Sequence, residues 1–148
     1  MDKYWSEKGE NSTGVAHWNW ESSIYERDIN ELINWAKHLD TNKARICLHE
    51  TPRSLMQVTY LAFIKPYSDK VHKHPSRPEV LIPVRGRAIR RVYSEGLELI
   101  KEELMKAGTG ESFSTSIGEW HSLEVVSEEF VMIEIGIGPF TPESTVYA

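Results

Sequence analysis

Val71-His72-Lys73-His74-Pro75-Ser76-Arg77-Pro78-Glu79, followed seven residues later by Gly86, is the stretch on which the reading of this 148-residue chain turns. In an extended strand residues i and i+2 share a face, so His72 and His74 present their rings toward one point with no special folding. Glu79 stands across a short proline-bearing turn and can return a carboxylate oxygen to that point. Far downstream, Gly118-Glu119-Trp120-His121 places another histidine at the start of a strand after a glycine turn. Three imidazoles and one carboxylate form a ligand set for a first-row divalent ion, at about 2.0–2.2 Å from the nitrogens if the ion is zinc. Four protein ligands leave open positions on an ion that prefers six. One divalent ion is therefore expected, with Fe(II), Mn, Ni and Zn all compatible.

Outward from this segment the chain divides by texture. Residues 1–22 are polar, carry Tyr4, Trp5, Trp18 and Trp20 without a clean period, and read as an N-terminal arm lying against the domain or a second copy. Residues 23–40 read as one amphipathic helix over about 24–39. Ser23 and Glu26 have capping-box spacing, and Tyr25, Ile29, Leu32, Ile33, Ala36 and Leu39 recur on one face. Residues 44–148 read as a β domain of eight short strands: 44–49, 55–64, 79–84, 87–93, 97–101, 112–116, 121–126 and 130–136. The expected fold is all-β, a small sandwich or barrel with an arm and one helix outside it.

Composition excludes several classes. One cysteine forms no internal disulfide and supports no structural zinc knuckle, whereas six histidines favour imidazole as the metal-binding group. No apolar run approaches the roughly 20 residues of a membrane-spanning helix. The first residues lack the apolar stretch of a secretory signal, so a cytoplasmic location is expected. Net charge is −5, but from Lys65 to Arg91 eight bases face two acids, against nine bases and twenty acids elsewhere. An acidic chain is a poor nonspecific nucleic-acid binder, so a small-molecule ligand, polar or anionic, is the expected partner. The sequence has no Gly-x-Ser-x-Gly elbow, phosphate-binding Gly-x4-Gly-Lys loop or Gly-x-Gly-x-x-Gly fingerprint.

The run His72-x-His74-x4-Glu79-x6-Gly86 resembles the first motif of the cupin superfamily, and Gly110-x5-Ser116-x-Gly118-x2-His121 resembles the second. Ser116, Val125 and Pro66 depart from that pattern at turn and support positions. The resemblance implies a single-domain cupin β-barrel, a double-stranded β-helix or jelly roll of the RmlC-like kind. Its metal would lie inside, on His72, His74, Glu79 and His121. From about Asp28 onward the chain is similar to the small WbuC-like cupin metalloproteins, through Arg45-Ile46-Cys47-Leu48-His49, the histidine pair, Arg85-Gly86-Arg87, Trp120-His121, Glu134 and Gly138-Pro139-Phe140. That group is associated with bacterial surface-polysaccharide gene clusters. Cupin barrels often pair, so a homodimer is expected.

The remaining candidates follow from position. Glu134 lies in the apolar run Phe130-Val131-Met132-Ile133-Glu134-Ile135, so it either pairs with an arginine such as Arg45 or Arg87 or faces the cavity with a raised pKa as a catalytic acid or base. His49 ends a strand and is a candidate proton carrier or support for a metal ligand. Arg85, Arg87 and Arg90 are candidates to attract an anion, Tyr60 to line the mouth, and Trp120 to pack the barrel or to stack on substrate. Tyr67 is a further mouth residue, and Cys47 is a small buried filler. His17 and His38 have no evident partner. The leading reading is a metalloenzyme, an isomerase or oxygenase acting on a small polar or anionic sugar-like or sugar-nucleotide-like molecule. The alternatives are a noncatalytic metal-dependent ligand-binding or regulatory module and a metal-free sugar epimerase or isomerase.

Overall fold

The computed structural model describes residues 14–17 and 23–148. Its elements are β1 (Val15–His17), α1 (Glu26–Lys37), β2 (Lys43–Cys47), β3 (Met56–Ile64), β4 (His72–Lys73), β5 (Glu79–Tyr93), β6 (Leu99–Lys106), β7 (Phe113–Thr115), β8 (Trp120–Ile137), a 3-10 turn (Pro142–Ser144) and β9 (Val146–Tyr147). Two long strands carry the architecture. The first half of β5 pairs with the second half of β8, and the second half of β5 with the first half of β8. One layer runs β1-β2-β3, the end of β8, the start of β5, then β7. The other runs β6, the end of β5, the start of β8, then β4 and β9. This is an all-β jelly roll with one helix.

Sequence texture splits β5 near Gly86 and β8 near Ser127, because glycine and polar residues read locally as strand ends. Both strands instead bend through these points, with register shifts between Pro83 and Arg85 and between Gly86 and Ala88. Gly86 has φ +74°, and a Cβ there would lie 2.0 Å from the Glu129 carbonyl oxygen. Only glycine fits this corner. Strand β6 extends well past the expected end at Lys101. Its Lys101-Glu102-Glu103 face is polar, and cross-strand pairs from Arg90 to Glu103 and from Arg91 to Glu102 hold it to β5.

Alternation along the strands makes two cores. Leu61, Phe63, Leu81, Met105, Leu123, Phe130 and Met132 fill the space between the layers. Ala44, Ile46, Ala62 and Val131 point outward and receive Leu32, Ile33 and Ala36 of α1. Burying a side chain such as Leu32 or Ile46 contributes about 1.5–3 kcal/mol. The helix starts two residues later than the expected cap. Tyr25 donates its backbone N–H to Asp28 Oδ2 at 2.7 Å, so Tyr25 and a buried Asp28 replace Ser23 and Glu26. Within the stretch read as an arm, Val15–His17 adds a parallel strand beside β2. Tyr4, Trp5, Trp18 and Trp20 lie outside the described residues. Among the described residues no helix is long and apolar enough to cross a membrane.

Candidate metal centre and cavity

His72 on β4 sits directly opposite His121 on β8, and His74 follows two residues later on the same face as His72. The ring centroids are 4.3 Å apart for His72 and His121, 5.2 Å for His72 and His74, and 5.3 Å for His74 and His121. One ligand atom from each ring lies within 4.8 Å of the other two, slightly more than twice a metal–nitrogen bond of about 2.1 Å.

The outer nitrogen of every ring is anchored to the main chain. Nδ1 of His72 donates to the Lys70 carbonyl at 2.8 Å, that of His74 to Ser144 at 2.9 Å, and that of His121 to Glu119 at 2.8 Å. A carbonyl only accepts, so each Nδ1 carries a proton, and Nε2 is the nitrogen that each ring turns toward the interior. The Ser144 contact depends on the 3-10 turn and on β9, which pairs with β4. Burial, followed by the neighbouring His72, lowers the His121 pKa to about 4, so this ring is neutral near pH 7. This donor set fits a divalent ion: three preoriented imidazoles, mostly buried, tautomers fixed.

Glu79 stands beside the cluster. Its Oε1 is 3.3 Å from His74 Nε2 and 3.5 Å from Arg77 Nη2. Burial pushes the Glu79 carboxyl up, but the hydrogen bond and charge of His74, with Arg77, outweigh it and leave the carboxyl below its ordinary range. Burial likewise pushes His74 down, and the hydrogen bond and charge of Glu79 carry it above the ordinary histidine value.

These side chains line a cavity of about 340 Å³ between the layers, at the small end of small-molecule sites. Arg77, 4% exposed, crosses its floor. It donates to Gln57 Oε1 at 3.2 Å and lies 3.9 Å from Glu134 Oε1 and 5.3 Å from the centre of the Phe140 ring. Gly136 makes room for it, since a Cβ there would fall 2.2 Å from Arg77 Nη2. Glu134 faces the cavity from β8. Its ion-pairing partner is Arg77 rather than Arg45 or Arg87. Burial, then the charge of Glu79, raises Glu134 to about 7 against the pull of Arg77, Lys43 and Arg45.

The other expected positions distribute differently. His49 lines the cavity, with Nδ1 3.3 Å from the Val58 carbonyl, but lies outside the three-histidine cluster; burial lowers its pKa. His17, given no partner on sequence, meets His49 edge to face at 6.2 Å and lines the same cavity. His38 caps the helix end through Asn34 O. Tyr60 points away from the cavity and packs with the helix cluster, because its neighbours Thr59 and Leu61 take the inward positions. Arg85 is likewise on the outer face, bound to Asn30 Oδ1 at 2.6 Å and near Glu26 and Glu129. Arg87 is exposed at the corner. Trp120, one residue from His121 and so on the opposite face, lies under Lys73 Nζ at 4.4 Å and donates to Glu95. Arg90 borders the cavity but is engaged by Glu103, Glu119, Ser114 and Thr115.

The cations that line the cavity are therefore Lys43, Arg45, Arg77 and Arg90, and the first two lie outside the basic segment from Lys65 to Arg91. The missed signal is the alternation Lys43-Ala44-Arg45-Ile46-Cys47: small apolar residues face the helix, and the charged ones must face inward.

No family model and no curated protein matches the sequence. Solved structures do resemble the fold. CapF, a capsular polysaccharide assembling protein from Staphylococcus aureus, superposes with a TM-score of 0.64 at 17% identity, over 82% of this chain and 37% of that one. KdgF from a Halomonas species gives 0.55 at 15% identity, over 69% and 84%. A recombinant oxalate oxidase in complex with glycolate gives 0.57 at 16% identity, over 74% and 57%. The chain thus spans about two fifths of the length of CapF. These neighbours are cupin-fold proteins, and the fold of this chain is the cupin fold.

Proposed function

We propose that the chain is a metal-dependent cupin enzyme acting on a small polar anion of the sugar-acid or hydroxy-acid class. The observation that carries this reading is the convergence, in one cavity of about 340 Å³, of three anchored imidazoles and a carboxyl raised to about 7. A cavity at the small end of the range for small-molecule sites favours a single small acid over a sugar nucleotide. His72, His74 and His121 would hold the ion, with Glu79 as the fourth ligand. A divalent ion there would supply Lewis-acid polarisation of a substrate oxygen.

The protein's own groups would do the rest. A carboxyl titrating near neutrality serves equally as proton donor and acceptor, so Glu134 is placed to move a proton on a substrate carbon or oxygen in the cavity. Arg77 holds Glu79 in place and limits the rise of Glu134. His49, neutral and tied to Val58, is a second proton carrier on the cavity wall. This assignment points to proton transfer, as in an isomerase. The fold likeness to CapF, a capsular polysaccharide assembling protein, supports a place in bacterial surface-polysaccharide metabolism. The exposed apolar row Leu99, Ile100 and Leu104 on the edge strand β6 supports a homodimer, checked by sedimentation equilibrium. A cytoplasmic location completes the reading.

The test is elemental analysis of protein purified without added metal, then incubation with a panel of hydroxy acids and uronic acids in D₂O, followed by NMR. The expected result is about one ion per chain and carbon-bound deuterium that appears only with the ion and with Glu134. Absence of a bound ion overturns the reading. Tight ligand binding with no exchange replaces it with the noncatalytic module.

A further inference from the structure

We infer that Lys43 and Arg45 form a carboxylate-binding subsite on the β2 wall of the cavity, so that the ligand is a small dicarboxylate held at both ends. The inference rests on the metal-dependent reading above for its other end. The two side chains are i and i+2 on one strand and both line the cavity. They lie on the layer facing the one that carries His72 and His121.

Three observations separate them from the other cations. First, among the described residues neither makes an ion pair, whereas Arg77, Arg85, Arg90 and Arg91 all do. Second, Arg45 Nε is buried with no hydrogen-bond partner; Arg77 Nε and Arg90 Nε share that state, but those two guanidiniums hold carboxylates through their Nη atoms, whereas Arg45 pairs with none among the described residues and a ligand oxygen would satisfy it. Third, Lys43 is positioned but not neutralised. Its Nζ lies 3.4 Å from Tyr67 Oη and over the Phe63 and Tyr67 rings at 5.3 and 5.6 Å. Burial, then the charge of Arg45, lowers its pKa to about 8, as for an ammonium without a counter-ion.

Two cations side by side in a partly desolvated wall repel each other unless an anion sits between them. The planar guanidinium fork matches a carboxylate in two parallel hydrogen bonds, and the ammonium adds a point charge. The nearby carboxyls do not fill this role. Asp69 is committed to the Leu123 N–H at 2.6 Å, and Glu134 leans on Arg77. The ligand class is then a 2-hydroxy acid with a second carboxylate at its far end, short enough for the cavity.

The test compares same-length pairs by calorimetry on the full chain loaded with Mn²⁺: 2-hydroxybutyrate against malate, 2-hydroxyvalerate against 2-hydroxyglutarate, and 2-hydroxyhexanoate against 2-hydroxyadipate. At least one dicarboxylate is expected to bind ten-fold or more tighter than its partner. Arg45→Met should abolish that advantage while leaving the monocarboxylate affinity and metal content within two-fold, and Arg45→Lys should retain part of it. A wild-type measurement guards against a misfolded variant: the preferred dicarboxylate should protect Lys43 from acetic anhydride at pH 8, read by peptide mass spectrometry. No dicarboxylate preference, a preference that survives Arg45→Met, or unprotected Lys43 overturns the subsite. A wild-type chain that retains no metal but keeps an Arg45-dependent preference overturns the metal reading and leaves the subsite standing.

Discussion

The two facing walls of the cavity are finished to different degrees. On the histidine wall every ring is tied through Nδ1 to a main-chain carbonyl, and its remaining nitrogen is aimed inward. On the β2 wall Lys43 and Arg45 stand without a carboxylate partner among the described residues, and the Arg45 Nε is left unsatisfied. Arg77 binds Glu79 and approaches Glu134, so these cavity acids pair with it rather than with Lys43 or Arg45. The contrast shows which interactions the fold completes by itself and which it leaves for something else to complete. A structural polar network would give each cation a carboxylate on both walls, as Glu103 and Glu119 do for Arg90.

The comparison can be broken most severely at its centre. Arg77→Met removes a buried cation from two carboxyls, and a loss of about 3–5 kcal/mol is expected in urea unfolding, with Glu134 pushed further up. Unchanged stability would show that this arginine is dispensable. His121→Ala attacks the histidine wall. It should weaken metal binding by more than about 100-fold, beyond the roughly 10–100-fold typical of losing a supporting hydrogen bond. Competition with a chromophoric chelator reads this directly, and retained affinity would remove His121 from the ligand set.

A smaller effect sharpens the difference in titration between the walls. Glu134 has a folded pKa of about 7, above its ordinary 4.5, so the folded state holds that proton more tightly. Its stabilising contribution is full below about 4.5 and is lost as pH rises through 7, with a limiting slope of about 1.4 kcal/mol per unit. Lys43 runs the other way. Its folded pKa is lowered to about 8, so its cost is present below 8 and is relieved as pH climbs toward 10.5. Urea midpoints across pH should therefore fall between about 4.5 and 7 and recover above 8, and Glu134→Gln should flatten only the lower limb. The smallest effect is expected at Arg85→Ala, on the outer face. Its partly exposed pairs with Glu26 and Glu129 should be worth less than about 1 kcal/mol, with no change in metal content or ligand affinity.

Much of the histidine wall was legible beforehand, because its signals are local. The i, i+2 pair His72 and His74, the turn to Glu79 and the turn before His121 are each fixed within a few residues, and the structure brings the three histidines together. Strand existence was mostly legible too, through β-branched and aromatic runs. The ends of β5, β6 and β8 were not, because bends at Gly86 and Ser127 resemble strand breaks and the polar Lys101-Glu102-Glu103 stretch is held only by partners on β5. The arginines singled out by local charge density, Arg85 and Arg87, lie outside the cavity, because density along the chain does not specify which face a strand buries.

By itself the sequence determined the period-2 patterning, an all-β sandwich or barrel and the convergence of imidazoles, since strand geometry converts spacing directly into facing; the jelly-roll form was what the resemblance of its two motifs to cupins implied. Only the tertiary structure decided what surrounds them. Ser144 reaches His74 from seventy residues away. Arg77 lies across Gly136 because β5 and β8 pair in one register. Lys43 and Arg45 face inward because α1 claims Ala44 and Ile46 on the other side of β2. Each of these is a long-range choice of register or packing, set by the competition of whole faces for burial rather than by the residues beside it.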